Sequence, residues 1–199
     1  MNPEDKRLWL TEKKSECLLS DRRLTLSRLF FEAPDHRELG PYYNLKLGSY
    51  AVIVAMDEEG DYLCVRQFRP GIHQITTEFP AGCIHVDPSE ESISIQTALR
   101  SAKRELLEET GYSSGHWTYL FDVAANSSLS DNRAFLFLAT DCRKTARQDL
   151  DHTEYLEVRH CSPDELQTLI REGGFQHAIH ILAWYLAKER MEKTEGIRE

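Results

Sequence analysis

Ile95, Leu99, Ala102 and Leu106 recur at helical spacing within Ile93 to Thr110, and Gly111 stands where such a helix needs a left-handed stop. The runs on either side have strand character. Ser49 to Asp57 (SYAVIVAMD) and Tyr62 to Pro70 (YLCVRQFRP) are rich in β-branched and aromatic residues and enclose the turn Glu58-Glu59-Gly60-Asp61, which predicts a hairpin. Gln74 to Pro80, His116 to Ala125, Arg133 to Thr140 and Glu154 to His160 predict further strands. Ser162-Pro163-Asp164-Glu165 supplies an N-cap, a proline at the first helical position and early acids for a helix to about Arg171. Gly173-Gly174 breaks it, and Phe175 to Met191 predicts a last amphipathic helix, with the charged tail Glu192 to Glu199 fraying. The fold class is α/β.

The first forty residues read as a separate small unit. Glu16 to Asp21 and Leu24 to Ala33 predict two strands around Asp21-Arg22-Arg23, and a hairpin alone is marginal, so it must pack on something. Pro34 to Pro41 is polar with a proline at each end and reads as a linker or long turn. The expected division is an N-terminal β-hairpin unit over residues 1–44 and a main domain over residues 45–199.

Composition narrows the class of function. The 199 residues, 41% hydrophobic and 29% charged, exclude fibrous and wholly disordered chains. Five cysteines form no C-x-x-C pair and leave one over under any pairing, which predicts free thiols in a reducing compartment. With no long apolar run and a charged stretch from Met1 to Trp9, the expectation is a cytoplasmic protein without a membrane segment. The acidic balance, 33 acids against 24 bases, argues against nucleic acid as a partner. An acidic protein can still take a polyphosphate if divalent cations intervene.

The segment Arg104 to Tyr112 (RELLEETGY) carries the chemistry. On a helix Glu105, Glu108 and Glu109 sit at i, i+3 and i+4 and share one face. Such crowding costs about a few tenths of a kcal/mol per pair, and folding does not require it. A bare E-x-x-E-E is more often a solvated acidic face, whereas a hard cation is the chemical alternative: Mg2+, or Mn2+ in its place, takes oxygen ligands and substrate phosphates.

These residues resemble the Nudix box, G-x5-E-x7-R-E-U-x-E-E-x-G-U, with U aliphatic or aromatic. Arg104, Glu105, Leu106, Glu108, Glu109, Gly111 and Tyr112 match it. Gly82, after Pro80-Ala81, resembles the opening glycine but stands eight residues farther upstream, which makes Cys83 to Ser94 an inserted loop. Gln96 occupies the position of the isolated first glutamate; Glu90 and Glu91 lie in the insertion, and that role is unassigned. Val65 to Pro70 and Glu78 to Gly82 are similar to the V-x-Q-Y-R-x and E-x-P-A-G segments of the branch that hydrolyses ADP-ribose and related nucleoside diphosphate sugars. Ala124 to Asn132 (AANSSLSDN) is similar to that branch's P-G-x-S-D-E loop, with Asn132 in place of the acid, and Glu154 to Val158 resembles its E-x-I-E-V strand entry.

The resemblance implies an α/β/α sandwich around a mixed sheet, with the N-terminal unit supporting a homodimer. It implies Mg2+-dependent hydrolysis of a diphosphate to a nucleoside monophosphate and a sugar phosphate, with ADP-ribose the first choice of substrate and GDP-mannose or an ADP-hexose the second. Glu105, Glu108 and Glu109, with the Ala81 carbonyl, would hold about two or three Mg2+ ions. Arg104 would hold the box through pairs with its own acids, and Gly82 would allow a close backbone approach. The base would be Glu154, Asp151 or His152, with Glu154 the one expected near metal. Arg69 is the candidate for the terminal phosphate. Arg66 is balanced between substrate and a surface ion pair, and Glu78 between substrate and a structural pair. His177 and His180, at i, i+3, are read as helix packing. The rival from another class is a ligand-binding regulator that kept the fold and lost turnover; it predicts erosion of the metal acids.

Overall fold

In a strand buried on both faces the side chains are largely apolar, and Tyr50 to Met56 is such a run. In the computed structural model, which describes residues 2, 5–86 and 92–195, this run forms all but the last residue of the central strand β4 (Tyr50–Asp57). Val52 and Val54 face one core with Leu136, Leu138, Leu166, Ala183 and Trp184. Ala51, Ile53 and Ala55 face the other, with Ala98, Ala102, Leu106, Phe135 and Phe137. That alternation sets one helix layer on each side of the sheet, giving the α/β/α sandwich.

Around β4 the sheet is mixed. It runs parallel to β10 (Arg133–Lys144) and antiparallel to β5 (Tyr62–Arg69) and β7 (Ala81–Cys83). β5 in turn pairs antiparallel with β6 (Gln74–Glu78) and β11 (Leu156–Cys161). The short β8 (Tyr112–Ser113) and the longer β9 (His116–Ala124) both pair with β10. α1 (Ile95–Thr110) covers one face. Ser94 caps its start by accepting from the Thr97 N–H at 3.0 Å, and Gly111 at φ 77° ends it, as its position predicts. α2 (Pro163–Glu172) opens on the predicted Ser162 cap, closed into a capping box by Glu165, and α3 (Ala178–Glu195) starts three residues later than expected. No helix among the described residues is long and apolar enough to cross a membrane. Glu90 and Glu91 lie outside the described residues.

The chain divides into two compact units, Met1–Gly48 with Ala124–Arg133, and Ser49–Val123 with Ala134–Glu199. The first holds an antiparallel meander, β1 (Thr11–Ser20), β2 (Thr25–Glu32) and β3 (Glu38–Lys46). Asp21 forms the first turn, its Oδ1 accepting from the N–H groups of Arg23 and Leu24 at 2.6 and 3.0 Å. The reading of Pro34 to Pro41 as a linker is corrected: the turn closes at Arg37, which accepts from the Ala33 N–H, and β3 begins at Glu38. Pro41 is tolerated there because β3 is an edge strand and the register shifts between Leu29 and Phe31, opposite it. The hairpin is therefore a three-stranded sheet. The loop of Ala124–Arg133 is tied to its end, Leu45 donating to the Leu129 carbonyl at 2.7 Å and Leu47 to Asp131 Oδ1 at 3.2 Å.

His180, on α3, is fully buried and packs against Phe79, whose N–H donates to its Nδ1 at 3.2 Å. Burial lowers its pKa to about 3, and His177 and Arg69 push the same way against Glu78. The unfolded chain takes up this proton near the ordinary value of 6.5 and the folded chain does not, so stability is held above that pH and lost as the pH falls toward 3. Unfolding free energies from urea titrations between pH 7 and pH 4 are expected to fall by up to about 1.4 kcal/mol per pH unit from this group alone. His180→Gln, which keeps an acceptor for Phe79, should show a shallower fall.

Candidate metal and catalytic site

The site lies where α1 faces β7. On the helix, Glu105 and Glu109 are one turn apart and both are buried, which removes the water that would solvate two carboxylates. Burial pushes Glu105 up despite Arg104 beside it, and raises Glu109 to about 8, with Glu105 and Glu154 adding to the rise and the Ala81 N–H and Arg69 opposing it. Glu154 completes the group: a carboxylate oxygen from each of Glu105, Glu109 and Glu154 lies within 4.8 Å of the other two. All three donors are oxygens, and a divalent cation is the counter-charge that lets all three ionise together, so the donor set fits Mg2+ or Mn2+.

The backbone of β7 is shaped to this group. The Ala81 N–H donates to Glu109 Oε2 at 3.0 Å. A Cβ built on Gly82 would fall on the Glu105 carboxylate, so the glycine exists to admit that side chain. Gly82→Ala is therefore expected to displace Glu105 and lower turnover by about 100-fold, at a cost of about 1–3 kcal/mol in stability. Activity assays alongside thermal melts check both.

Arg104 clamps the helix face, Nη2 donating to Glu105 Oε1 at 2.5 Å and Nη1 to Glu108 Oε2 at 2.6 Å. Glu108 thus stands outside the three-acid group, half-buried and engaged by Arg104, although the sequence placed it on the same helical face. The difference is angular, since Glu108 and Glu109 are 100° apart on a helix of about 3.6 residues per turn.

The loop between β10 and β11 brings Glu154 in. It is fastened to the free carbonyls at the end of α1: Thr145 and Ala146 donate to Gly111, Gln148 Nε2 to Glu109 at 2.7 Å, and Asp149 to Glu108 at 2.9 Å. A tight turn follows, with the Glu154 N–H on the Asp151 carbonyl at 2.8 Å and Glu154 Oε2 accepting from the Asp151 N–H at 3.0 Å. Of the three base candidates, Glu154 joins the acid group; Asp151 and His152 are exposed outside it. The anchors Gln148 and Asp149 were not legible in the sequence, because a loop amide aimed at a helix carbonyl leaves no pattern.

Arg69 and Glu78 meet each other. Arg69 Nε lies 2.9 and 3.0 Å from the two Glu78 oxygens, Nη2 lies 2.5 Å from Oε2, and Thr76 Oγ1 donates to Oε1 at 2.8 Å. Glu78 is buried, yet the Arg69 guanidinium outweighs that burial and holds its carboxyl below the usual range. The charge of Arg69 also reaches Glu109. Arg66 is elsewhere, paired with Glu157 across β5 and β11 at 3.0 Å, so the two arginines do not converge.

Comparison with known proteins gives the family. Residues 46–185 match the family model described as NUDIX domain. The ADP-ribose pyrophosphatase of Mycobacterium tuberculosis (strain ATCC 25618 / H37Rv) is 32% identical over 102 residues, 51% of this chain and 46% of that protein. The ADP-ribose pyrophosphatase of Bacillus subtilis (strain 168) is 30% identical over 124 residues, 62% of each. The match thus spans less than two thirds of the length of either relative. The methanol dehydrogenase activator of Bacillus methanolicus is 28% identical over 171 residues, 85% of this chain and 88% of that protein. A crystal structure of an ADP compounds hydrolase superposes with a TM-score of 0.75 at 20% identity, covering 93% of this chain and 95% of the other, and shows the same fold.

Proposed function

The chain belongs to the NUDIX domain family, and on that premise we propose that it hydrolyses the diphosphate of a nucleoside diphosphate sugar with Mg2+, replaceable by Mn2+, at Glu105, Glu109 and Glu154. ADP-ribose is the first substrate, in keeping with the names of two relatives, and GDP-mannose or an ADP-hexose the second. The products are a nucleoside monophosphate and a sugar phosphate. The observation that carries the reading is the convergence of three carboxylates, two of them buried, one of which, Glu105, occupies the space that Gly82 leaves open.

A diphosphate resists attack because its own charge repels the incoming oxygen, and a bound divalent ion supplies the charge neutralisation and the acidified water that hydrolysis needs. Glu105 and Glu109, with the Ala81 carbonyl, would hold that ion; Arg104 keeps Glu105 and Glu108 in place. The Glu154 carboxylate, partly exposed on its anchored loop, is the base that takes a proton from the attacking water. Arg69, which remains partly exposed beside Glu109, is the cation that meets a phosphate. The N-terminal unit that begins the chain, with its sheet of β1 to β3, serves a homodimer, and the rest of the chain forms the hydrolase domain; light scattering that gives the mass of one chain would remove the dimer.

The test is an assay of the protein with Mg2+ on a panel of nucleoside diphosphate sugars, dinucleotides and nucleoside triphosphates. Release of AMP from ADP-ribose, abolished by EDTA, is expected. A second reading, a ligand-binding regulator, is favoured by the likeness to a methanol dehydrogenase activator over most of both chains. It predicts loss of the metal acids, whereas Glu105, Glu109 and Glu154 all stand together. Binding of a panel member without any turnover would favour it.

A further inference from the structure

The loop that carries Glu154 also walls a cavity of 540 Å3 beyond the C-terminal end of α1, bounded by Tyr112, Lys144, Arg147, Gln148, Glu157 and His160. In a chain of net charge -9 this cavity is cationic. Lys144 and Arg147 form no ion pair among the described residues. The acid on its wall, Glu157, is neutralised by Arg66.

The other acid close by is already used. Asp57, with its side chain 6% exposed, accepts from the N–H groups of Glu59 and Asp61 through Oδ1, at 3.1 and 2.9 Å, and holds His160 Nδ1 through Oδ2 at 2.9 Å. The second ring nitrogen of His160 meets the Tyr112 hydroxyl at 3.2 Å. This relay, drawn from β4, β11 and β8, fixes the phenol at the cavity wall. The His160 ring thereby holds the Tyr112 oxygen in place at the cavity wall. Glu59 is the remaining charge that Tyr112 feels, across the β4–β5 turn.

We propose that this cavity is a second anion site, which takes a phosphate group between Lys144, Arg147 and the Tyr112 hydroxyl, separate from the acid cluster. Two cations and an oriented hydroxyl match a phosphate's oxygens, and guanidinium and ammonium both bind that group well. The group can come from free phosphate or from a phosphomonoester, since only the oxyanion chemistry is recognised. The site stands independently of the hydrolase reading, because its residues are not the metal acids. It adjoins them through Gln148, which lines the cavity and bonds the Glu109 carbonyl.

The test is calorimetric titration of inorganic phosphate, and in a second arm glycerol 2-phosphate, into full-length protein stripped of metal with EDTA, with chloride at matched ionic strength as control. Without metal the acid cluster repels phosphate, and the saturable binding that is lost in the Lys144→Gln/Arg147→Gln variant reports the second site. Binding in the millimolar range or tighter is expected, weakened by about tenfold or more in Lys144→Gln/Arg147→Gln and by several-fold in Tyr112→Phe. The arm that saturates at lower concentration identifies the source of the phosphate. Absence of saturation up to about 20 mM in both arms, or equal binding by wild type and the folded double variant, overturns the proposal.

Discussion

Glu109→Gln is expected to lower ADP-ribose turnover by about three orders of magnitude, while the metal-free protein becomes more stable. Both effects have one cause. Burial and two neighbouring carboxylates raise Glu109 to about 8, against an ordinary value of 4.5. A raised acid contributes stability below its unfolded value and loses it as the pH climbs toward the folded one. Metal-free wild type therefore weakens between pH 4.5 and 8, and the amide, which still accepts from the Ala81 N–H, does not. At pH 7 the variant is expected to gain about 1–3 kcal/mol. Glu108→Gln, whose carboxylate is spent on Arg104, is expected to lose only about tenfold in turnover. Steady-state kinetics with Mg2+, paired with melts in EDTA, separate these outcomes; equal losses at the two positions would contradict the three-acid grouping.

Arg69→Ala carries the largest expected cost to stability, about 3 kcal/mol or more. Glu78 is 1% exposed, and its counter-charge is Arg69, so removal of the guanidinium strands a buried carboxylate. In wild type the folded pKa of Glu78 is depressed, and its stabilisation is present above 4.5 and lost below it. In the variant the carboxyl is pushed up instead. The stability gap between the two proteins is thus wide at pH 7 and narrows as the pH falls toward 4.5, where the stranded acid protonates. Denaturant midpoints at both pH values measure this. Arg69→Met/Glu78→Gln, which removes both charges, should recover most of the loss.

The central strand and the helix of the acids with its C-terminal end were legible because each rests on local chemistry: an apolar run, a 3.6-residue spacing and a glycine stop; the Ser94 cap that starts the helix at Ile95, two residues after the expected start, was not read. The third strand of the N-terminal sheet was not, since a proline and a polar turn read as a linker until the neighbouring strand supplies an edge with a shifted register. At the site, Glu105 and Glu109 followed from spacing, and Glu154 from resemblance to a strand entry. The exclusion of Glu108 depends on Arg104 choosing it, and the pairing of Arg69 with Glu78 on two strands meeting side by side. Helical spacing alone does not encode either choice. The Asp57–His160–Tyr112 relay joins residues far apart in the chain and left no motif at all.

The most direct measurement of the account is an anomalous difference map from crystals soaked in Mn2+. A peak within coordination distance of Glu105 and Glu109, beside Glu154, lost in Glu109→Gln together with turnover, is the predicted result. Full occupancy of Mn2+ elsewhere, with these three carboxylates bare and ADP-ribose still hydrolysed, would contradict it.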